Sequence, residues 1–108
     1  MNTTALQPID LTQRLEVYLI ASIAESTRKA YATDCKEYLI WCEYNGYAPA
    51  SLTSAQLSLY VAALAETHAV ATITRRLAAI SELYKQYKLH SPTEGHEVRA
   101  ILRGIRRR

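Results

Sequence analysis

Two short runs gather the side chains that bind phosphate: Ser26-Thr27-Arg28-Lys29-Ala30-Tyr31 and Ala71-Thr72-Ile73-Thr74-Arg75-Arg76. Each crowds hydroxyl and cationic groups into one helical turn ahead of a run with an apolar face. A helix N-terminus has unpaired backbone N–H groups, and with Ser or Thr and Arg or Lys beside them it suits a phosphate oxygen. Two such ends in one small basic chain predict a clamp on a nucleic-acid backbone. The carboxy-terminal run adds a third cationic element, in which Arg99, Arg103, Arg106, Arg107 and Arg108 alternate with Ile101, Leu102 and Ile105.

Other chemistry finds less to work with. His96 and Arg99 have a His-x-x-Arg spacing that can set two cations on one helical face, as phosphoryl transfer requires. Two fixed positions match often by chance, however, and no nucleophile is tied to them, so no catalytic residue is assigned. His68 and His90 fall in predicted connections. Cys35 and Cys42 lie seven apart on one helical face and read as core thiols. Their Cα atoms would be roughly 10 Å apart at 1.5 Å per residue, too far for a disulfide. No tetrahedral zinc spacing, Gly-rich phosphate loop or Gly-x-Ser-x-Gly elbow occurs, and neither metal nor cofactor is expected.

The elements that hold these residues follow from composition and period. The 108 residues include only three Gly and three Pro, which favours an all-α fold, a compact four- to five-helix bundle. Phe is absent, so eight Tyr and Trp41 supply the aromatic packing, and some phenol groups must find partners inside. Residues 1–9 show no period and are predicted to form a flexible arm before a helical domain at 10–108. A first helix is predicted from an Asp10 cap to about 24. A second follows a Ser26 cap and stops at Asn45-Gly46. Thr53 and Gln56 form a capping box that opens a third, to about 66. A fourth covers about 71–87, and a last helix starts near His96, where Gly95 interrupts a Ser91-Pro92 cap.

Each predicted helix pairs a core stripe with an outer one. Tyr31, Cys35, Tyr38 and Cys42 form one core stripe, with Lys29, Thr33 and Lys36 opposite. Leu57, Tyr60, Val61 and Leu64 form the next. Ile73, Leu77, Ile80 and Tyr84 face Ala71, Arg75, Ala78, Ala79 and Glu82. Val98, Ile101, Leu102 and Ile105 turn inward, leaving Arg99, Arg103, Arg106 and Arg107 outside. The 10–24 helix differs: Leu15, Val17, Tyr18, Leu19, Ile20 and Ile23 wrap nearly its whole circumference. It is either deeply buried or turned on one side to a partner protein.

The formal charge of +3 is concentrated at the end: five Arg and no acid lie between Val98 and Arg108, leaving eight basic against ten acidic residues elsewhere. Local patches of this kind bind nucleic acid better than the net charge implies. The two unpaired Cys fit a reducing cytoplasm. No stretch resembles a signal peptide or a membrane span.

The ordered set of Ser26-Thr-Arg-Lys-Ala-Tyr31, Tyr38-Leu-Ile-Trp41-Cys42 and a Gly turn, Val61-Ala-Ala-Leu64, Ala71-Thr-Ile73, Leu77-Ala-Ala-Ile80 and Val98 to Arg106 resembles a known family. It is similar to the N-terminal core-binding, SAM-like domain of the tyrosine recombinases, the phage integrase family, over roughly Ile23 to Arg107. The resemblance implies a domain that grips one face of a recombination half-site as half of a clamp, in a bacterial or phage protein that works on chromosomal DNA. Carried over by position, DNA contacts fall on Thr27, Lys29, Ala30 and Thr33, then on Ala71, Thr72 and Arg75. Arg28, Lys36, Thr74 and Arg76 join them from the residue pattern, and Arg103, Arg106 and Arg107 from the last helix. Arg75 is the best base reader, since Arg can bridge guanine O6 and N7.

The resemblance also implies double-stranded DNA and other recombinase protomers as partners, the latter in a synaptic complex of the full-length protein, with this domain alone mostly monomeric. The family's catalytic Arg, Lys, His-x-x-Arg and Tyr belong to a second domain downstream. His96-x-x-Arg99 precedes that point and is a coincidence, so this chain is expected not to cleave DNA by itself. The alternative is a helical protein-interaction domain that uses the apolar 10–24 helix, with the terminal arginines merely solvated.

Overall fold

A computed structural model describes residues 8–108, with side chains at 14, 15 and 17 and from 24 onward. Four α-helices succeed one another among the described residues: α1 (Pro8–Tyr44), α2 (Ser54–Ala65), α3 (Val70–Gln86) and α4 (His96–Arg106). Single 3₁₀ turns occur at Pro49–Ser51 and Pro92–Glu94. The fold is all-α, as the scarcity of Gly and Pro implies. The chain forms two compact units, the first ending at Ala30 and the second running Tyr31–Arg108.

The helices expected at 10–24 and 26–44 are one helix, α1, of 37 residues. No Gly or Pro lies between Ile9 and Asn45. Ser and Thr inside a helix cost only a few tenths of a kcal/mol, less than ending a helix and nucleating another. There is therefore no helix N-terminus at Ser26, and the phosphate site expected from one does not exist. The backbone N–H groups of Thr27, Arg28, Lys29 and Ala30 lie inside the i→i−4 ladder. The expected arm lies outside the described residues at 1–7, and Pro8 and Ile9 already belong to α1. Pro suits a first helical position, where its missing N–H would have no partner. Asp10 then falls within the first turn instead of capping it.

The remaining boundaries obey local rules. At the end of α1, Gly46 has φ +73°. Tyr47 N–H donates to the Cys42 carbonyl at 2.8 Å and Gly46 N–H to that of Glu43 at 3.1 Å, the two bonds of a Schellman cap. Helix α3 ends in the same way, with Leu89 N–H on Tyr84 and Lys88 N–H on Lys85. There the left-handed position falls on Lys88, at φ 56°. Thr53 caps α2 by accepting from Gln56 N–H at 3.1 Å, and the Gln56 side chain accepts from Thr53 N–H at 3.0 Å.

Gly95 precedes α4 and has no side chain to cap it. Ser54 supplies the hydroxyl from α2, accepting from Val98 N–H at 3.3 Å. A Cβ at Gly95 would overlap the Ser54 side chain, so the residue type follows from this close approach.

The core of the second unit contains Tyr38 and Cys42 from α1, Leu57, Tyr60, Val61 and Leu64 from α2, Ile73, Leu77, Ile80 and Tyr84 from α3, and Val98 from α4. Ile101, Leu102 and Ile105 pack against it half-buried. The assignments of Tyr31, Cys35 and Ala79 change: Tyr31 and Cys35 are half-buried, and Ala79, expected on the outer face of α3, is 1% exposed. The Cys35 thiol lies 3.4 Å from the Ala79 carbonyl and donates to it, so α1 covers this side of α3. Burial pushes the Cys35 and Cys42 thiols above the ordinary range.

Candidate nucleic-acid interface

Asp34 continues the buried stripe of α1 by one turn, four residues before Tyr38. It is 1% exposed, a costly place for a carboxylate without partners. Two arginines of α3 supply them. Arg75 donates from Nε to Oδ2 and from Nη2 to Oδ1, both at 2.9 Å, the bidentate fork that gives the strongest charge-assisted pairing. The Arg76 Nε lies 3.5 Å from Oδ1, and its Nη1 donates to the Tyr60 hydroxyl at 3.1 Å. The hydrogen bonds to Asp34 and its charge raise the Arg75 pKa further, so its cation persists at any working pH. Burial raises the Tyr60 phenol, against the pull of the Arg76 cation.

A turn further along, α1 and α3 meet again without charge. The Tyr38 and Tyr84 hydroxyls are 2.7 Å apart, and Tyr84 donates to the Pro49 carbonyl. Tyr38 must then be the donor to Tyr84. Burial, followed by this hydrogen bond, drives the Tyr38 phenol far above its ordinary pKa, and burial raises Tyr84. Tyr60 stacks at a tilt on Tyr38 at 5.5 Å and on Trp41 at 5.0 Å.

The expected contact residues distribute as follows. In the first unit, Thr27, Arg28 and Lys29 are exposed and Ala30 is half-buried. Lys29 lies 3.7 Å from Glu25, one turn earlier, with both side chains largely in water, a pairing that contributes little. In the second unit, the turn of α1 that carries Asp34 also carries Thr33 and Lys36, both exposed. The Asp34 junction brings this turn against Arg75 and Arg76. On α3, Ala71, Thr74 and Arg75 are exposed, while Thr72 and Arg76 are half-buried. Helix α3 opens at Val70 without a side-chain cap, so the second of the two expected helix starts is present. On α4 and its cap, Arg103, Arg106 and Arg107 are exposed.

A groove in the second unit is lined by Tyr31, Thr74, Ala78, Glu82, Glu94 and Arg99 among others. Its two carboxylates oppose an anion, and Arg99 is engaged by Glu94 at 3.1 Å. His96 is exposed at the first position of α4, and its spacing to Arg99 assembles no nucleophile. Among the described residues no group of three or more His, Cys, Asp or Glu side chains could hold a metal ion.

Sequence reasoning missed Asp34. The available signal was its i, i+4 relation to Tyr38, which puts a carboxylate on the core face and so demands a buried cation.

No helix among the described residues is long and apolar enough to cross a membrane. Residues 11–91 match the family model of the phage integrase N-terminal SAM-like domain. The chain is also 34% identical over 89 residues to an integrase/recombinase xerD homolog of Selenomonas ruminantium, an alignment covering 80% of this chain and 26% of that protein. It thus spans about a quarter of that relative's length. With the helical order described above, these matches show that the chain belongs to the phage integrase family, as an N-terminal SAM-like domain of the tyrosine recombinase type.

Proposed function

We propose that this domain grips duplex DNA within a site-specific tyrosine recombinase and that the DNA-cleaving residues lie in another domain of the full protein. The observation that carries this reading is the exposed cationic set on α4 and its C-cap, Arg103, Arg106 and Arg107, in a segment from Val98 to Arg108 that has no acid. Thr33 and Lys36 on α1 and Ala71, Thr74 and Arg75 on α3 are exposed as well, adding hydroxyl and cationic groups. Small residues at 71 and 78 let a bulky partner approach the α3 backbone. In the first unit, Arg28 and Lys29 are exposed cations.

Phosphate contacts dominate this interface, because hydroxyl and cationic groups outnumber base readers. Binding by the domain alone is then weak, about 10⁻⁴–10⁻⁶ M, and falls steeply with salt, with a slope of about −0.9 per phosphate neutralised. A titration of the 108-residue chain on duplex DNA at a series of salt concentrations tests this. Affinity that does not change between low and moderate salt rejects the reading. Arg106→Ala should weaken binding to all duplexes alike.

Leu15 and Val17 favour a second role beside DNA binding. They are 59% and 62% exposed on α1, an apolar surface suited to another recombinase protomer. The domain alone is expected to be monomeric, with assembly organised on DNA. Ile20, on the same apolar helix, lies outside the described side chains.

A further inference from the structure

We propose that Asp34 is a specificity-determining residue that competes with duplex DNA for Arg75, and that Arg76 takes over the carboxylate when Arg75 leaves. This rests on the DNA-binding reading above. The Asp34 carboxylate is buried, yet the Arg75 side chain is 46% exposed, so the cation sits at the edge of the protein with its fork turned inward. The Arg76 side chain is 15% exposed. Its Nε is buried and makes no hydrogen bond, although Asp34 Oδ1 is only 3.5 Å away. A buried donor without an acceptor costs free energy, and a small rotation toward Asp34 would satisfy it.

The charge count supports the exchange. At the buried site one carboxylate is shared by two guanidinium groups, while Glu37, exposed on the next turn of α1, adds a second negative charge near Tyr60. When Arg75 departs, Asp34 and Arg76 remain as a neutral pair, and the penalty of stranding a buried charge does not arise. Arg75 gives up a fork-shaped acceptor and needs another. Duplex DNA offers two: a pair of phosphate oxygens, or O6 and N7 of guanine. Asp34 therefore sets a threshold. A poorly placed acceptor does not displace it, and a well-aligned pair does, which suppresses binding in wrong registers.

The test follows the Nε–H signals of Arg75 and Arg76 by ¹⁵N NMR in the unmodified 108-residue chain. One titration uses a mixed-sequence duplex and the other a duplex of A·T pairs alone. The expected result is loss of the carboxylate-bonded Arg75 signal together with a downfield move of the Arg76 Nε–H. The same response to both duplexes identifies phosphate as the acceptor, and a response only to the mixed duplex identifies guanine. Shifts at Lys36 and Arg103 with Arg75 and Arg76 unmoved overturn the competition and leave the DNA-binding reading standing. An absence of any shift overturns both.

Asp34→Asn supplies a second measure. It should raise duplex affinity about three- to tenfold, the effect of removing one competing hydrogen-bonded contact. The gain should vanish in an Arg75→Gln background and exceed that of Glu82→Gln, which removes a carboxylate elsewhere on α3. A fall in affinity for a folded Asp34→Asn chain would make Asp34 a support for Arg75 and reject the competition. If the substitution unfolds the chain, the NMR titration decides alone.

Discussion

Besides the Cys35 thiol on the Ala79 carbonyl, helices α1 and α3 are joined by two side-chain junctions, which solve the same problem with opposite chemistry. At Tyr38 and Tyr84 the bond is neutral: one phenol donates to the other, which donates to the Pro49 carbonyl, and each hydroxyl hydrogen has an acceptor. At Asp34 the bond is ionic, one of its partners is half in water, and one buried donor is left over. A neutral chain of bonds in which each donor is satisfied has nothing to exchange. A charged junction with a surplus donor can change partners. The first fixes the register of two helices, and the second leaves the same pair an edge where partners can exchange.

The sharpest way to break this contrast is to remove the charge. Asp34→Ala leaves Arg75 and Arg76 facing each other without a counter-ion. Losing one member of a buried pair costs about 3–5 kcal/mol, and the lower end applies because Arg75 can turn into water. Urea unfolding should show a loss of unfolding free energy of that size, with part of it recovered in Asp34→Ala/Arg76→Leu. A loss below about 1 kcal/mol would mean that the ionic junction contributes little to folding.

Alkali should act on the neutral junction instead. The folded Tyr38 pKa is raised far above its unfolded value of 10.0, and the Cys42 pKa is raised above 9.0. Both groups are neutral below those unfolded values, where their contribution is fully present. As pH rises past 9 and then 10, Cys42 and Tyr38 ionise in the unfolded chain before they do in the folded one. Stability should fall by about 1.4 kcal/mol per pH unit for Tyr38 alone above pH 10. Melting temperature against pH checks this, and Tyr38→Phe should flatten the decline between pH 10 and 11. A curve unchanged by that substitution would show that Tyr38 is not the group responsible.

Tyr84→Phe keeps the ring and removes the middle hydroxyl. Tyr38 loses its acceptor, and the Pro49 carbonyl loses one of its two donors but keeps the Leu52 N–H, at a cost of about 1–2 kcal/mol. The Arg75 Nε–H signal should not move, since its junction shares no atom with this one. If it does move, the two junctions are coupled and the contrast weakens. The smallest effect concerns the end of α3 beside the neutral junction. Lys88 holds a left-handed conformation that favours Gly. Lys88→Gly should stabilise by up to about 1 kcal/mol in thermal unfolding, with binding to DNA unchanged.

What could be read from residues alone was local. The stop at Asn45-Gly46 and the Thr53/Gln56 box depend on neighbours within five positions, and both form as their residue types require. The stripes Tyr38/Cys42, Leu57/Tyr60/Val61/Leu64 and Ile73/Leu77/Ile80/Tyr84 follow from 3.6-residue periodicity, and all are buried. Ser26 misled because the same hydroxyl residue that caps a helix is tolerated inside one, and only the balance of propagation against a new nucleus decides. Ala79 misled because Ala marks neither face, and its burial depends on where α1 lies.

The sequence by itself determined an all-helical chain with these caps, these apolar stripes and an acid-free arginine end, because backbone hydrogen bonding and helical period act over a few residues. Only tertiary structure decided which charges meet. Asp34 and Arg75 are 41 residues apart; the spacing to Tyr38 turns Asp34 toward the core, but nothing near either residue says which cation meets the carboxylate. The packing of α1 on α3 buries the carboxylate, and burial turns two surface-type residues into an ion pair with a third partner waiting beside it. The same holds for Ser54 and Gly95, 41 positions apart. There the lack of a side chain at one residue has meaning only because the hydroxyl of the other occupies the space.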